Sequence, residues 1–186
     1  GKAKYGLFGA GTYFTDNKSV AESYTEKGKG NNKQVYETYL NIKNPIDMDA
    51  QGDYAAWSKA LPDADFPKEG TNEDFYRAME EYFQDEEYPK WEAAETAMEV
   101  IESMGHDGIT HTGGGRFNKK DETRHRVYIA FQSEQIKSTN NTNPTENPDI
   151  NLSLSADNER IAPVGNYNVY GKDIALDAPV KEVATK

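Results

Sequence analysis

Tyr13 and Tyr24 stand in the surroundings that most readily support chemistry. Tyr13 lies in Gly6-Leu7-Phe8-Gly9-Ala10-Gly11-Thr12-Tyr13-Phe14-Thr15-Asp16, where glycines crowd a β-type run of Thr, Tyr and Phe. Backbone of that kind passes close to a flat ligand while aromatic rings cover the ligand's faces. Tyr24 follows after one turn and one short polar helix, a separation that lets both rings reach one pocket. A nucleotide base or a nicotinamide ring has the shape such a pocket holds. Ordinary sheet core is the alternative for both tyrosines.

A second constellation surrounds a triple glycine: His111, Gly113-Gly114-Gly115-Arg116 and His125. Successive glycine amides with a guanidinium donate to anions, so the stretch could cradle a diphosphate or an acceptor. A hairpin turn with a solvated arginine and two partly buried histidines explains the same residues equally well. The two histidines have no evident third partner, so no metal site is expected. As an acid and base pair they would instead make a nuclease, which predicts RNA cleavage that His125→Ala abolishes.

These groups must be positioned by a chain of 186 residues that is long enough for one domain with a core. Its apolar fraction is 35% and its mean hydropathy −0.92, low for a chain that orders every residue. No apolar run approaches a membrane span, and no basic-then-apolar leader is visible, so the chain reads as soluble with no membrane partner. The absence of cysteine excludes disulfides, thiolate metal sites and a thiol nucleophile. A net charge of −11 repels phosphate backbones, which argues against a nucleic-acid scaffold. The acidic runs Glu80-Glu81 and Asp85-Glu86-Glu87 read as a solvated helix surface. The chain opens on Gly1 rather than Met and so reads as a piece of something longer.

Residues 6 to 15 read as extended pieces bent at glycine, followed by an Asp16 N-cap and a helix from Lys18 to Tyr24. Lys33 to Ile42 alternates as a strand with Tyr36, Thr38, Leu40 and Ile42 on one face, and Asn44-Pro45 stops it. From Tyr54 to Gly105 the period becomes helical. Phe75, Met79, Tyr82 and Phe83 form one stripe; Trp91, Ala94, Met98 and Ile101 form another. Thr71 to Asp74 caps the first of these helices and Gly105 stops the second. Gly108-Ile109-Thr110 and Arg126 to Phe131 return to strand. After Lys137 the composition turns to Asn, Thr, Pro and Ser, which ends the globular unit near Ile150. Residues 151–186 are linker-like, although Tyr167 to Leu176 carries enough apolar residues to dock as an extended arm.

Several pieces together resemble one family. Gly11-Thr12-Tyr13-Phe14-Thr15 with Ser23-Tyr24 is similar to the second signature of ADP-ribosyltransferases of the poly(ADP-ribose) polymerase and diphtheria-toxin type. Val35 to Pro45, Asp107-Gly108-Ile109, Val127 to Phe131 with Gln135-Ile136-Lys137-Ser138, and Asn147 to Ile150 resemble the ADP-ribosyltransferase-like domains of phage polyvalent and head-morphogenesis (MuF-type) proteins. The similarity spans about residues 6 to 150, and the order and spacing of the pieces carry it.

The resemblance implies an α+β fold, a split antiparallel β-sandwich, within a domain at 1–150 that has a helical insertion at about 53–105. NAD would be the substrate and would bind in a cleft between two small sheets. By analogy Tyr13 and Tyr24 sandwich the nicotinamide, and Gly11, Thr12, Tyr13 and Phe14 line the floor, with Arg116 and His125 as further binding residues. The implied reaction is loss of nicotinamide from the ribose and transfer of ADP-ribose to a macromolecule, expected to be a host protein. The implied setting is a toxin or host-modifying effector of phage or prophage origin, in the phage particle or in the bacterial cytoplasm after delivery. The oxocarbenium-like transition state demands a carboxylate or dipole near the ribose.

The sequence departs from the family pattern at three places. The first signature, a strand with His or Arg, would lie upstream of Gly1, and its absence would leave unpaired backbone that favours a homodimer or strand exchange. A serine expected three residues before the helix tyrosine is Ala21. The expected late-strand Glu is Val127, which leaves Glu122, Glu134 and Gln135 as substitutes, with Gln135 favoured for the catalytic role beside Tyr13. These departures support a competing expectation: a catalytically inactive module of this fold in a phage structural polypeptide.

Overall fold

A computed structural model describes residues 6–27, 35–114, 123–139 and 168–171. In chain order the elements are β1 (Thr12–Thr15), α1 (Lys18–Lys27), β2 (Tyr36–Leu40), β3 (Ile46–Asp47), α2 (Tyr54–Ala60), α3 (Asn72–Asp85) and α4 (Lys90–Ser103). They continue with β4 (Gly108–Gly113), β5 (His125–Ala130), a 3-10 turn (Ser133–Gln135), β6 (Ile136–Ser138) and β7 (Asn168–Gly171). The fold is mixed α/β.

The strands form two small groups, β3-β4-β5-β1 and β2-β6, joined by β7 into the order β3-β4-β5-β1-β7-β2-β6. All pairings are antiparallel except β3 with β4. The alternation of β1 and β5 explains how the sheet buries both faces, since successive strand residues point opposite ways. Tyr13 is opposite Ile129, and their face packs under the helices with Phe8, Trp57, Tyr76, Met79 and Ile101. Phe14 is opposite Tyr128, and their face forms a second core with Leu40, Ile42, Ala130 and Ile136.

The three helices lie between β3 and β4 and are delimited by local chemistry. Asp53 caps α2 through its side chain, and Thr71 with Asp74 forms a reciprocal capping box on α3. Trp57, fully buried, donates from Nε1 to Asn72 Oδ1 at 3.0 Å, and Asn72 Nδ2 donates to the Asp47 carbonyl at 2.9 Å. That relay fixes α2 and α3 to β3. Helices α3 and α4 end alike: Tyr88 N donates to Phe83 O and His106 N to Ile101 O, each over a left-handed residue. At α4 that residue is Gly105 (φ 88°), whereas at α3 it is Glu87 (φ 57°).

Two local expectations are corrected. Asn17, not Asp16, caps α1: Val20 N donates to Asn17 Oδ1 at 3.2 Å, while Asp16 Oδ1 accepts from Arg126 N at 2.8 Å. The buried stripe of α4 runs through Ala94, Ala97, Val100 and Ile101, and Trp91 is 55% exposed. Small alanines let α4 lie close to its neighbours, and a Trp on the rotated face has nothing to pack beneath.

Candidate functional site

The Tyr13 phenol is anchored by the loop that precedes its own strand. Its hydroxyl accepts from Phe8 N and donates to Gly9 O, both at 3.1 Å. Gly6 makes room for the ring, because a Cβ there would stand 2.1 Å from Tyr13 Cζ and Oη. Burial holds the hydroxyl protonated well above the usual phenol range, against the weaker opposing pull of the Phe8 amide. From the helical side, Arg77 donates to Leu7 O and lies over the Phe8 ring. The Gly6–Gly9 turn is therefore gripped from both sheet and helix.

Beyond this turn a cleft of about 640 Å3 opens towards α3 and α4, lined among others by Gly6, Gly9, Tyr76, Glu80, Phe83 and Tyr88. Neither Tyr13 nor Tyr24 is among the residues lining it.

Between β1 and α1 the chain turns a pinned corner. Asn17 N donates to Thr15 Oγ1, Asp16 N donates to Arg126 O, and Arg126 N donates back to Asp16. Arg126 extends the network: its guanidinium pairs with Asp47 and Asp49 and donates from Nε to Thr110 Oγ1 at 2.9 Å. The corner fixes how α1 leaves β1, and so fixes the backbone that carries Tyr24. Ala21 is buried on the inner side of α1, whereas Tyr24 is 50% exposed. Sequence reasoning put Arg126 at the start of a strand but gave it no role; its place in the alternation Arg126, Tyr128, Ala130 was the available signal.

On the helix-covered face of the sheet, Thr15, Val127 and His111 stand in one row across β1, β5 and β4. Thr15 and His111 are buried and Val127 is partly buried. His111 packs edge-on against Phe8 with centroids 4.8 Å apart. His125 stands in the next position of the same face, over Gly113, where a Cβ would lie 2.2 Å from His125 Nε2. Its Nδ1 is 3.0 Å from Thr123 O. A neutral ring donating there keeps its lone pair on Nε2.

The remaining expected residues are placed less uniformly. Gly11 (φ 139°) approaches Ile129 and Ala130 so closely that a Cβ would be 2.6 Å from Ile129 Cγ2. Thr12 and Phe14 lie on the face opposite Tyr13, and Phe14 is buried in the second core. Gly11 to Phe14 cannot all line one floor, because the strand alternates. Gln135 Oε1 accepts from Phe131 N and Gln132 N, both at 2.9 Å, and Nε2 donates to Asp107 O at 2.6 Å. Its amide closes the turn after β5 and ties that turn to the start of β4. Arg116 lies outside the described residues. Among the described residues no group of three or more His, Asp or Glu could hold a metal ion.

A family model described as ADP-ribosyltransferase in polyvalent proteins matches residues 1–146. No curated protein and no solved structure matches the chain.

Proposed function

The chain belongs to the family of ADP-ribosyltransferases in polyvalent proteins, which use NAD as substrate, and we propose that it transfers ADP-ribose from NAD to a host protein. The observation that carries the site is the pinned corner between β1 and α1, which sets a half-exposed Tyr24 beyond the strand that carries Tyr13. Tyr24 supplies a face for the nicotinamide. Tyr13, packed against Gly6 and bonded to Phe8 N and Gly9 O, holds the loop that precedes β1 in place beside it. Gly11 lets β1 pass close to β5 at Ile129 and Ala130.

In the proposed step the bond between ribose C1′ and the nicotinamide nitrogen breaks, and the electron pair leaves with nicotinamide. The acceptor's lone pair forms the new bond at C1′, and its proton passes to His125 Nε2. Thr15 and His111, both buried, flank the partly buried Val127 in the row that on this reading stands nearest the ribose. Without a carboxylate in that row, stabilisation of the oxocarbenium ion falls to dipoles, which are weaker than a full charge. The proposed setting is a phage-borne effector that acts in the host cytoplasm.

A second reading, a binding module of the same fold without turnover, is favoured by Val127 at the expected carboxylate position and by the commitment of the Gln135 amide to its turn. Nicotinamide release from NAD, followed by chromatography, separates the two. Release that falls at least tenfold in Tyr24→Ala supports the transferase. NAD binding without release supports the module.

A further inference from the structure

The sheet is completed at its centre by the last strand in the chain. Strand β1 pairs with β5 along one edge, and β2 pairs with β6 along one edge; their other edges face each other. Between them lies β7, antiparallel to both: Tyr170 is opposite Thr15 on one side and Glu37 on the other, and Gly171 is opposite Phe14 and Tyr36. Without β7 the two edges would stand about 9–10 Å apart, twice the ordinary spacing of paired strands, with unpaired amides and carbonyls along both.

Three observations bear on how permanently this position is filled. The family match ends at residue 146, so the strand that fills the gap comes from outside the matched region. The two strand groups are also joined without β7, at one end of the sheet. There Asp107 accepts from the Lys43 and Asn44 amides, Gln135 Nε2 donates to Asp107 O, and Leu40, Ile42 and Ile136 share a core with Phe14, Tyr128 and Ala130. Finally, the tether from Thr139 to Asn168 is long: residues 140–167 can span up to about 90 Å when extended, far more than a crossing within one domain requires.

We propose that the space between β1 and β2 is a strand-acceptor slot, filled through backbone hydrogen bonds by residues 168–171 and able to take that same segment from a second copy of the chain. The recognition is strand addition: an extended peptide gains two ladders at once, and the tether allows the segment to be exchanged between molecules. The proposal is independent of the reaction proposed above.

The chain has no cysteine, so paired cysteines give a clean test. Thr38→Cys with Val169→Cys reports the pairing with β2, and Thr15→Cys with Tyr170→Cys the pairing with β1. Both pairs should oxidise efficiently, within one chain at low concentration and increasingly between chains as concentration rises. Failure of both pairs to cross-link, or cross-links that stay within one chain at every concentration, overturns the proposal. A second measurement uses the full chain with Val169→Pro and Tyr170→Pro, which removes two strand amides. This variant should bind a fluorescent peptide of residues 165–174 at least tenfold more tightly than the intact chain does. A folded variant, judged by circular dichroism, that ignores the peptide overturns the proposal as well. If the proline variant does not fold, the cross-linking result decides.

Discussion

The ring of Tyr13 occupies the space that any side chain at Gly6 would need, and its hydroxyl bonds the backbone on both sides of Phe8. The relationship makes a strand residue the lock of its own preceding loop. Gly6→Ala should therefore evict the ring and destabilise the fold by about 1–3 kcal/mol. Tyr13→Phe keeps the ring but removes the hydrogen bonds to Phe8 N and Gly9 O, at a cost of about 1–2 kcal/mol. Chemical denaturation of both variants checks these values, and a ring that only anchors its own loop should leave NAD affinity nearly unchanged in Tyr13→Phe.

The same phenol gives stability a pH dependence. Burial raises the Tyr13 and Tyr76 pKa values in the folded state, so on the alkaline side the unfolded chain gives up protons that the folded chain keeps. The stabilisation is fully present below the ordinary tyrosine pKa of about 10 and is lost as pH rises above it. Denaturation midpoints should fall between neutral pH and pH 11, and Tyr13→Phe should flatten that fall. An equal slope in the variant would remove Tyr13 from the account.

Glu87 takes the left-handed position that ends α3, where Gly105 serves α4. A non-glycine residue there costs on the order of 1 kcal/mol, so Glu87→Gly should stabilise the protein by about 0.5–1 kcal/mol. The melting temperature reads this directly. Conversely, Thr71→Ala should cost about 1 kcal/mol by opening the capping box with Asp74. The backbone amide and hydroxyl of Thr71 hold the Asp74 pKa below its usual value, so the cap contributes above that value and weakens as pH falls through the depressed one.

Much of this fold was legible because local chemistry and tertiary packing agree. Thr71 to Asp74 announced a helix start, and Gly105 a helix end, from residue type alone. Where two neighbours offered the same chemistry, the sequence could not choose: Asp16 and Asn17 both suit a cap, and the distant Arg126 amide claimed Asp16. The alternation from Arg126 to Phe131 revealed a strand but not that it starts at His125, opposite Gly113, or that Arg126 binds Asp47 and Asp49. The apolar content around Tyr167 to Leu176 suggested a docking arm, yet nothing local says that residues 168–171 enter the middle of the sheet. In the site, alternation of β1 sends Phe14 away from Tyr13, a consequence of strand geometry that the Gly-Thr-Tyr-Phe signature does not display. Gln135 looked available as a substitute for a carboxylate because its backbone partners, Phe131, Gln132 and Asp107, are brought to it only by the turn and by β4.

Val127 lies between Thr15 and His111 in the row across β1, β5 and β4, and in the proposed site it takes the position of a carboxylate that would face the developing positive charge. Val127→Glu should raise nicotinamide release at least tenfold if this row faces the ribose. The partly buried charge should also lower stability by about 1–3 kcal/mol. Loss of stability with no gain in turnover would place the ribose elsewhere.

The most direct test of the account is calorimetric titration of NAD into the intact chain and into Tyr24→Ala, with circular dichroism confirming an unchanged fold. The account predicts saturable binding to the intact chain and an affinity at least tenfold weaker in the variant, because an exposed ring on α1 supplies the stacking face. Equal affinity for the two proteins, or no binding by the intact chain, would contradict it.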